Sequence, residues 1–132
     1  MPVSNQPLTA TGNIRPCRAV KISGPFNVAE ADANEACIGI AQEGTNVAPI
    51  PDVTSQYAAI EGQTLRVYQD GEECLMELAD TIAAGVRLKS DADGKGVAAG
   101  TGSVQHIVAT LLEDGVAGDK RRVRVTIVSA TL

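Results

Sequence analysis

The chain repeats one short pattern bounded by glycines, and this repeat limits the folds that the chain can adopt. Each copy begins with a glycine, has a leucine three residues later followed by a basic residue, and ends in Asp-Gly. The copies occupy residues 62–71 and 85–94 and begin 23 residues apart. Glycine adopts positive φ at little cost, and Asp-Gly is typical of tight hairpin turns. The repeat therefore predicts two glycine turns, each followed by a short half-buried strand and a hairpin tip.

Other segments predict further short strands. We expect a return strand after each Asp-Gly. Residues 105–112 are apolar and rich in β-branched side chains, which favours a strand over a helix. Near the C-terminus, Val123, Val125 and Ile127 alternate with polar residues and predict the clearest strand. Short strands between frequent turn signals predict an all-β fold, a small antiparallel β-sandwich or barrel with short hairpins and little helix.

The length of 132 residues predicts one domain. Residues 1–13 are polar and contain prolines, so we expect an extended N-terminal arm, followed by a single β domain over residues 14–132. Arms of this kind are either disordered or lie along a neighbouring molecule. The candidate contact residues in the arm are Pro2, Val3, Pro7 and Leu8.

The apolar residues are mostly small or β-branched. Hydrophobic residues make up 44% of the chain, but there are only one Phe, two Tyr and no Trp. Because aromatic rings supply the largest buried areas, this composition predicts a small core for the length of the chain. We therefore expect the protein to gain stability by self-association or by docking on a larger surface.

The charge excludes some classes of partner. The formal net charge is −5, and a negative chain is poorly suited to the phosphate backbone of nucleic acids. No apolar run approaches the roughly 20 residues that span a bilayer, so we expect no membrane partner. The first residues lack the basic start and apolar stretch of a signal peptide, which predicts synthesis in a cytoplasm.

The thiols and the histidine do not form a recognisable catalytic or metal-binding motif. Cys17, Cys37 and Cys74 are odd in number and contain no Cys-x-x-Cys pair, which favours buried small hydrophobes over a disulfide framework, a zinc site or a reactive thiol. His106 is the only histidine and lies in a predicted strand. A satisfied or surface histidine is therefore favoured over a nucleophile–histidine device.

The acidic motifs also have structural interpretations. Residues 91–94, Asp-Ala-Asp-Gly, resemble the start of a calcium loop, but the third acidic ligand and the bidentate Glu are missing. A hairpin tip explains the same residues. The adjacent carboxylates at 72–73 and 113–114 point apart in a strand and do not make an acid/base pair. The sequence predicts no catalytic residue, no metal and no cofactor, and hence no enzyme.

One dense basic patch stands out in this acidic chain. Residues 120–122, Lys-Arg-Arg, are followed by Arg124. They form either the solvated start of a strand or a docking surface for an acidic partner, including another copy of the chain. The candidate interface residues here are Arg121, Arg122 and Arg124.

A second class of protein shares one phrase with the chain. Residues 60–65, Ile-Glu-Gly-Gln-Thr-Leu, are similar to a segment of biotin and lipoate carrier domains. Those carriers present a lysine at an exposed hairpin tip, whereas here Lys95 is displaced from the matching position. A carrier domain is the less favoured alternative.

The chain resembles the small capsid decoration (cement) proteins of tailed bacteriophages. The segments that support the resemblance are residues 37–41, 59–67, 84–95 and 123–127. The resemblance implies a β body that binds the outside of an assembled capsid, commonly as a homotrimer, and stabilises contacts between capsomers. It implies the major capsid protein and the chain itself as partners, and a place on the virion exterior after synthesis in the host cytoplasm. It assigns no function to a particular residue, and a phage tail or adhesin component remains the alternative.

Overall fold

A computed structural model describes residues 8–43 and 57–131. Over these residues the chain contains no helix and is built from short strands, which confirms the all-β prediction. The strands are β1 (Leu8–Ala10), β2 (Ala19–Gly24), β3 (Asn27–Glu30), β4 (Gly39–Ala41), β5 (Thr64–Leu65), β6 (Val67–Tyr68), β7 (Glu73–Glu77), β8 (Arg87–Ser90), β9 (Gly96–Ala98), β10 (Val104–Leu111) and β11 (Lys120–Thr131).

The strands form two sheets. One sheet has six strands in the order β5-β1-β3-β2-β4-β6, and the other has five in the order β7-β11-β10-β8-β9. The pairs within both sheets are antiparallel except β1–β3, which is parallel. The two sheets pack on each other, so the described chain is a sandwich and contains no closed barrel.

The six-stranded sheet curls because one short stretch of chain lies at both of its edges. β5 pairs with β1 and β6 pairs with β4, and only Arg66 separates β5 from β6. The two edges of the sheet therefore come together at Arg66, but no backbone hydrogen-bond ladder joins β5 to β6. The approach of β6 requires glycine at position 39, because a Cβ there would collide with the carbonyl oxygen of Tyr68.

Two apolar clusters fill the molecule. The first lies inside the curl and contains Leu8, Ala10, Ile14, Val20, Val28, Ala41, Ala58, Ala59, Leu65 and Val67. The second lies between the sheets and contains Ala19, Ala31, Cys37, Ile40, Cys74, Met76, Leu78, Ile82, Leu88, Val108, Ala109, Leu111, Val123 and Val125. Neighbouring residues of β2 and β4 belong to different clusters, so these two strands are buried on both faces.

The predicted turn glycines are confirmed in both copies of the repeat. Gly62, Gly71, Gly85 and Gly94 all have positive φ, between 80° and 92°. The second copy also forms the predicted hairpin, because β8 pairs with its return strand β9. The hairpin prediction is wrong for the first copy. Its strand β6 belongs to the six-stranded sheet, and the following strand β7 pairs with β11 in the other sheet.

The N-terminal prediction needs one correction. Residues 8–10, assigned to the arm, form β1 and pair with both β3 and β5. Leu8 and Ala10 are buried because they alternate inward with the polar Thr9 between them. The described β body therefore includes residues 8–13. The rest of the predicted arm, residues 1–7, lies outside the described residues.

The predictions for the C-terminal half are confirmed. β10 covers most of residues 105–112, and β11 has Val123 and Val125 buried and Arg122 and Arg124 exposed. A register shift between Ile107 and Ala109 marks a bulge in the β10–β11 ladder.

Candidate interaction surface

The register of the five-stranded sheet brings basic residues from two distant segments to one face. Directly paired residues of antiparallel strands point to the same side. Thr110 of β10 pairs with Arg124 on one side and with Arg87 on the other. Alternation along β8 and β11 adds the remaining basic residues. The basic sheet face consists of Arg87, Lys89, Lys120, Arg122 and Arg124.

The basic sheet face also carries two carboxylates, because the register of β7 on β11 sets Glu73 opposite Arg124 and Glu77 opposite Lys120. Arg124 forms an ion pair of 3.1 Å with Glu73, and both side chains are about half exposed. Exposed pairs of this kind contribute little to stability. The other four members of the face have no ion pair among residues 8–43 and 57–131. Five basic side chains against these two carboxylates leave an excess of positive charge on the face, and such a face is suited to an acidic partner surface.

Arg121 differs from the other two arginines that the sequence singled out. It alternates to the opposite side of β11, where its guanidinium lies 3.1 Å from Asp119 and 3.9 Å from Glu113. The backbone N–H of Val116 and the guanidinium of Arg121 both donate to Asp119 and lower the pKa of that carboxyl below its usual value. Arg121 therefore closes a local turn, while Arg122 and Arg124 face outward.

The predicted contact residues of the arm do not join this face in the described structure. Leu8 lies in the six-stranded sheet with only 7% of its surface exposed, because its side chain packs in the first cluster. Pro2, Val3 and Pro7 lie outside the described residues. The candidate residues thus come from separate parts of the molecule.

A second exposed feature is the turn between β2 and β3. Gly24-Pro25-Phe26-Asn27 is a two-residue hairpin in which Gly24 pairs with Asn27. Phe26, the only phenylalanine, has φ of 57° and is 60% exposed. The carbonyl of Phe26 accepts a hydrogen bond of 2.9 Å from the N–H of Thr9. We call residues 24–27 the Phe26 tip.

A shallow cleft opens on the other sheet. Backbone hydrogen bonds of 2.9 and 3.0 Å join Ile82 and Gly115 reciprocally, and the cleft lies over this bridge. Its volume is about 410 Å³, and Val116 at its side is 52% exposed. The apolar cleft is lined by Thr81, Ile82, Ala83, Asp114, Gly115, Val116, Asp119 and Arg121.

A group of charged residues joins the two sheets. Buried Arg18, before β2, donates to the carbonyl of Asp93 at 2.9 Å and to the carboxylate of Glu77 at 3.2 Å. Arg15 makes a bidentate contact with Glu30, at 2.9 and 3.1 Å, which raises the pKa of Arg15. These residues hold the tip of the second repeat against the first sheet. They have a structural role that the sequence did not indicate.

The three thiols are buried and protonated at neutral pH. Burial raises the pKa of Cys17 and of Cys37 to about 11, and that of Cys74 to about 12. A thiol needs its thiolate form to act as a nucleophile or metal ligand. The interpretation of the cysteines as small buried hydrophobes is confirmed by their position, since all three are buried and free.

His106 makes ordinary polar contacts. Its Nδ1 lies 2.7 Å from the hydroxyl of Ser129, and its backbone N–H donates to the side chain of Asn34 at 2.9 Å. In the described part of the chain no carboxylate is hydrogen-bonded to the imidazole. The favoured interpretation, a satisfied histidine near the surface, agrees with these contacts.

The loop that resembled a calcium site binds its own backbone. One oxygen of Asp91 accepts hydrogen bonds of 2.8 Å from the N–H groups of Asp93 and Lys95. The ammonium of Lys95 lies 3.6 Å from Glu77 and is only 29% exposed. A carrier domain would need a freely exposed lysine at this tip, so the position of Lys95 argues against that alternative.

Neither a metal site nor a membrane-spanning helix is found in the described residues. They contain no cluster of three or more His, Cys, Asp or Glu side chains that could hold a metal ion. No helix in the same residues is long and apolar enough to cross a membrane.

Two surface features were missed by the sequence interpretation. Arg87 and Lys89 join the basic sheet face only through the pairing of β8 with β10, which depends on residues far apart in the chain. The exposed ring of Phe26 had a local signal, since Gly-Pro before it indicates a turn and a turn leaves little room for burial.

Comparisons with known proteins show the fold. The chain matches no family of the protein-family collection searched and no curated protein sequence. It is similar to a solved structure, the N base of the head fiber protein gp8.5 of bacteriophage phi29, with a TM-score of 0.61. The match covers 92% of each chain at 16% sequence identity. The two proteins therefore share a fold over nearly the full length of both chains.

Proposed function

We propose that the protein is a non-enzymatic structural component of a phage head, which binds the outer surface of the assembled shell as a decoration protein. The observation that supports this proposal most is the shared fold with the head fiber base of phage phi29, over 92% of both chains. The resemblance of the sequence to capsid decoration proteins points to the same part of a virion. The first similarity is one of structure, and the second is one of sequence motifs.

The chemistry of the described residues supports a role in adhesion. The side chains that could suggest catalysis are used for folding: the thiols are buried, Asp91 binds its own loop, and Lys95 lies beside Glu77. The exposed surface includes the basic sheet face and isolated apolar side chains. Such surfaces suit contacts between proteins.

The partners in this proposal are the major capsid protein and further copies of the chain. The basic sheet face binds acidic side chains of the shell, and residues 1–7 add a second contact with a neighbour. A homotrimer presents three such faces at once, so that modest contacts add up to stable attachment. In this arrangement the protein holds adjacent capsomers together.

The similarity to the fiber base of phi29 supports a second candidate function, also as a structural protein of the phage head. In that case the chain forms the base from which a head fiber projects. The two candidates differ in what lies above the bound domain, and both require binding to the head.

Purified heads that lack the protein provide the test. After mixing, the proposal predicts that the protein sediments with the heads and that the heads resist a higher temperature before releasing DNA. Replacing Arg122 and Arg87 by Glu should weaken binding about tenfold or more, and added salt should weaken the wild type. Arg66→Glu is the control for each of these changes made singly, since it makes the same charge change outside the basic sheet face, at a solvent-exposed ion pair with Glu72 that contributes little to stability. Heads that stay free of wild-type protein would overturn the proposal.

A further inference from the structure

Phe26 combines a left-handed backbone, whose carbonyl accepts the N–H of Thr9, with an exposed aromatic ring. Its φ of 57° lies in the left-handed region, which is unfavourable for a bulky side chain. Pro25 occupies the first turn position, and in such a turn the second position normally holds Gly or Asn. The ring is 60% exposed, so packing within the chain does little to offset the strain. Strained residues of this kind concentrate at functional positions.

The side chains of the other two left-handed residues are buried or hydrogen-bonded within the protein. Asn34 is a residue type that tolerates this conformation, and its amide donates to the carbonyl of Val104 at 3.0 Å and accepts the N–H of His106 at 2.9 Å. Cys17 is fully buried, and its carbonyl accepts a hydrogen bond of 3.1 Å from the N–H of Glu77, so its conformation joins two segments of the core. Phe26 is the residue of the three that presents a large apolar side chain to solvent.

The surroundings of the tip indicate an apolar partner. Residues 22–29 contain no charged side chain, although 20% of the chain is charged. Ile22, on the strand that leads into the tip, is also 52% exposed. A neutral tip with an aromatic ring fits an apolar recess, because aromatic anchors in desolvated pockets dominate the energy of protein interfaces.

The same chain provides such a recess. Buried Ile82 and Gly115 and exposed Val116 line the apolar cleft, and Asp114, Asp119 and Arg121 complete its lining. Its volume of about 410 Å³ leaves room for a phenyl ring. The tip belongs to the six-stranded sheet, whereas the cleft lies beside the five-stranded sheet.

We propose that the Phe26 tip of one copy inserts into the apolar cleft of a second copy. Because tip and cleft are different surfaces, the contact is heterologous, and repetition around an axis closes a ring. The inference deepens the homotrimer of the proposed function by naming its contact. It concerns self-association alone, so it is tested without heads.

The first experiment compares variants of the tip. Phe26→Ala removes the ring and keeps the strained position, whereas Phe26→Gly removes both. We expect both variants to raise the dissociation constant for self-association at least tenfold, measured by sedimentation velocity over a range of concentrations. Phe26→Gly should also unfold at a higher denaturant concentration than Phe26→Ala, since glycine adopts positive φ freely. This second measurement shows that lost association is not caused by unfolding.

Mixing of complementary variants is the decisive experiment. Val116→Glu damages the cleft and leaves the tip intact, while Phe26→Gly does the reverse. Each variant alone should be monomeric, and an equimolar mixture should form a dimer through the one remaining intact tip and cleft. A mixture that stays monomeric while the wild type associates would overturn the proposal.

The other outcomes are also informative. A wild type that remains monomeric at all concentrations overturns the proposal, while binding of that monomer to heads would leave the proposed function standing. Tip variants that associate normally but bind heads weakly would show that Phe26 contacts the shell, and would equally overturn the contact between copies. Failure of the wild type to bind heads, with association lost in the tip variants, would instead overturn the proposed function alone.

Discussion

Both copies of the repeat begin with the same backbone contacts and then follow different paths. The N–H of Gly62 donates to the carbonyl of Ala10, and the N–H of Ala10 donates to the residue after Gly62. In the second copy the N–H of Gly85 likewise donates to the carbonyl of Leu111 at 2.7 Å, and the N–H of Leu111 donates to the carbonyl of Val86 at 3.0 Å. The local pattern thus determines the turn and the first contact with a neighbouring strand.

The two copies of the repeat differ at the residue two positions before the Asp of the Asp-Gly tip. In the second copy this residue is Asp91, whose carboxylate accepts two N–H groups of its own loop. The loop closes, and β9 returns beside β8. The first copy has Tyr68 at the equivalent position, and its Asp70 instead accepts the N–H of Ile127 from β11 at 2.9 Å. The copy with Asp91 at this position forms a hairpin, and the copy with Tyr68 there continues into the other sheet.

The Asp-Gly tips of both copies nevertheless form a backbone hydrogen bond to the opposite sheet. In the first copy the N–H of Gly71 donates to the carbonyl of Val125, in the opposite sheet. In the second copy the carbonyl of Gly94 accepts the N–H of Ala19, again in the opposite sheet. Both hydrogen bonds measure 2.8 Å. The repeat thus contributes a contact between the sheets from each side.

The largest expected effect concerns the path of the first copy. Gly39→Ala places a Cβ against the carbonyl oxygen of Tyr68 and forces β6 away from β4. We expect a loss of about 3 kcal/mol in the free energy of unfolding, measured by urea denaturation. Gly12→Ala is the control, because a Cβ at position 12 meets no atom within 4 Å. Equal stability of the two variants would contradict the close packing of β6 on β4.

The tip glycines should rank in a defined order. Gly71→Ala and Gly94→Ala both place a side chain at positive φ, which costs about 1–2 kcal/mol each. A Cβ at Gly94 would in addition lie 3.2 Å from the carbonyl oxygen of Ala19, whereas a Cβ at Gly71 meets no atom within 4 Å. Urea denaturation should therefore show the larger loss for Gly94→Ala. The reverse order would indicate that the second tip is not the more tightly packed one.

The two aspartates near the tips should affect different parts of the molecule. Asp91→Ala removes two hydrogen bonds and should cost about 1–2 kcal/mol, with faster amide exchange at Asp93 and Lys95. Asp70→Ala removes one and should cost about 1 kcal/mol, with faster exchange at Ile127. Hydrogen exchange measured by NMR separates the two patterns. Faster exchange at Ile127 in the Asp91 variant would remove the distinction between the copies.

The smallest expected effect is on the pH dependence of stability. It concerns the segments that follow Ala10 and Leu111, the residues that the two copies contact. Asp119 lies in the turn after Leu111, and hydrogen bonds from Val116 and Arg121 lower its pKa in the folded state. Its stabilising contribution is therefore present above the unfolded pKa of about 3.9 and is lost as the pH falls toward the folded value. Residues 11–18, which follow Ala10, contain no acidic side chain that could titrate in this way.

Comparison of Asp119→Asn with the wild type isolates this contribution. The variant should be less stable than the wild type at pH 7, and the difference should shrink toward pH 3. A constant difference across this range would show that the ionisation of Asp119 does not contribute.

The sequence predicted those features that depend on neighbouring residues. The turn glycines, the alternation of β11 and the second hairpin follow from local pattern and were confirmed. The crossing of the first copy was not predictable, because it depends on contacts with the distant strand β11. The carbonyl of Val125 accepts the N–H of Gly71, and the N–H of Ile127 donates to Asp70. Burial of Ala19 and Val20 on opposite faces of β2 likewise requires the curl of the sheet.

The candidate surface was predictable in part. Alternation placed Arg122 and Arg124 on the outward side of β11, but it did not separate Arg121 from them by its contact with Asp119. The contribution of Arg87 depends on register between distant strands, which short sequences specify weakly. Leu8 was assigned to an arm because its polar neighbours hid the short alternation of β1.

Electron cryomicroscopy of heads mixed with the purified protein tests the central claim most directly. The account predicts ordered density for the two-sheet body on the outer surface of the shell, in rings of three copies with the Phe26 tip against the next copy. Heads that remain bare at saturating protein concentration would contradict it.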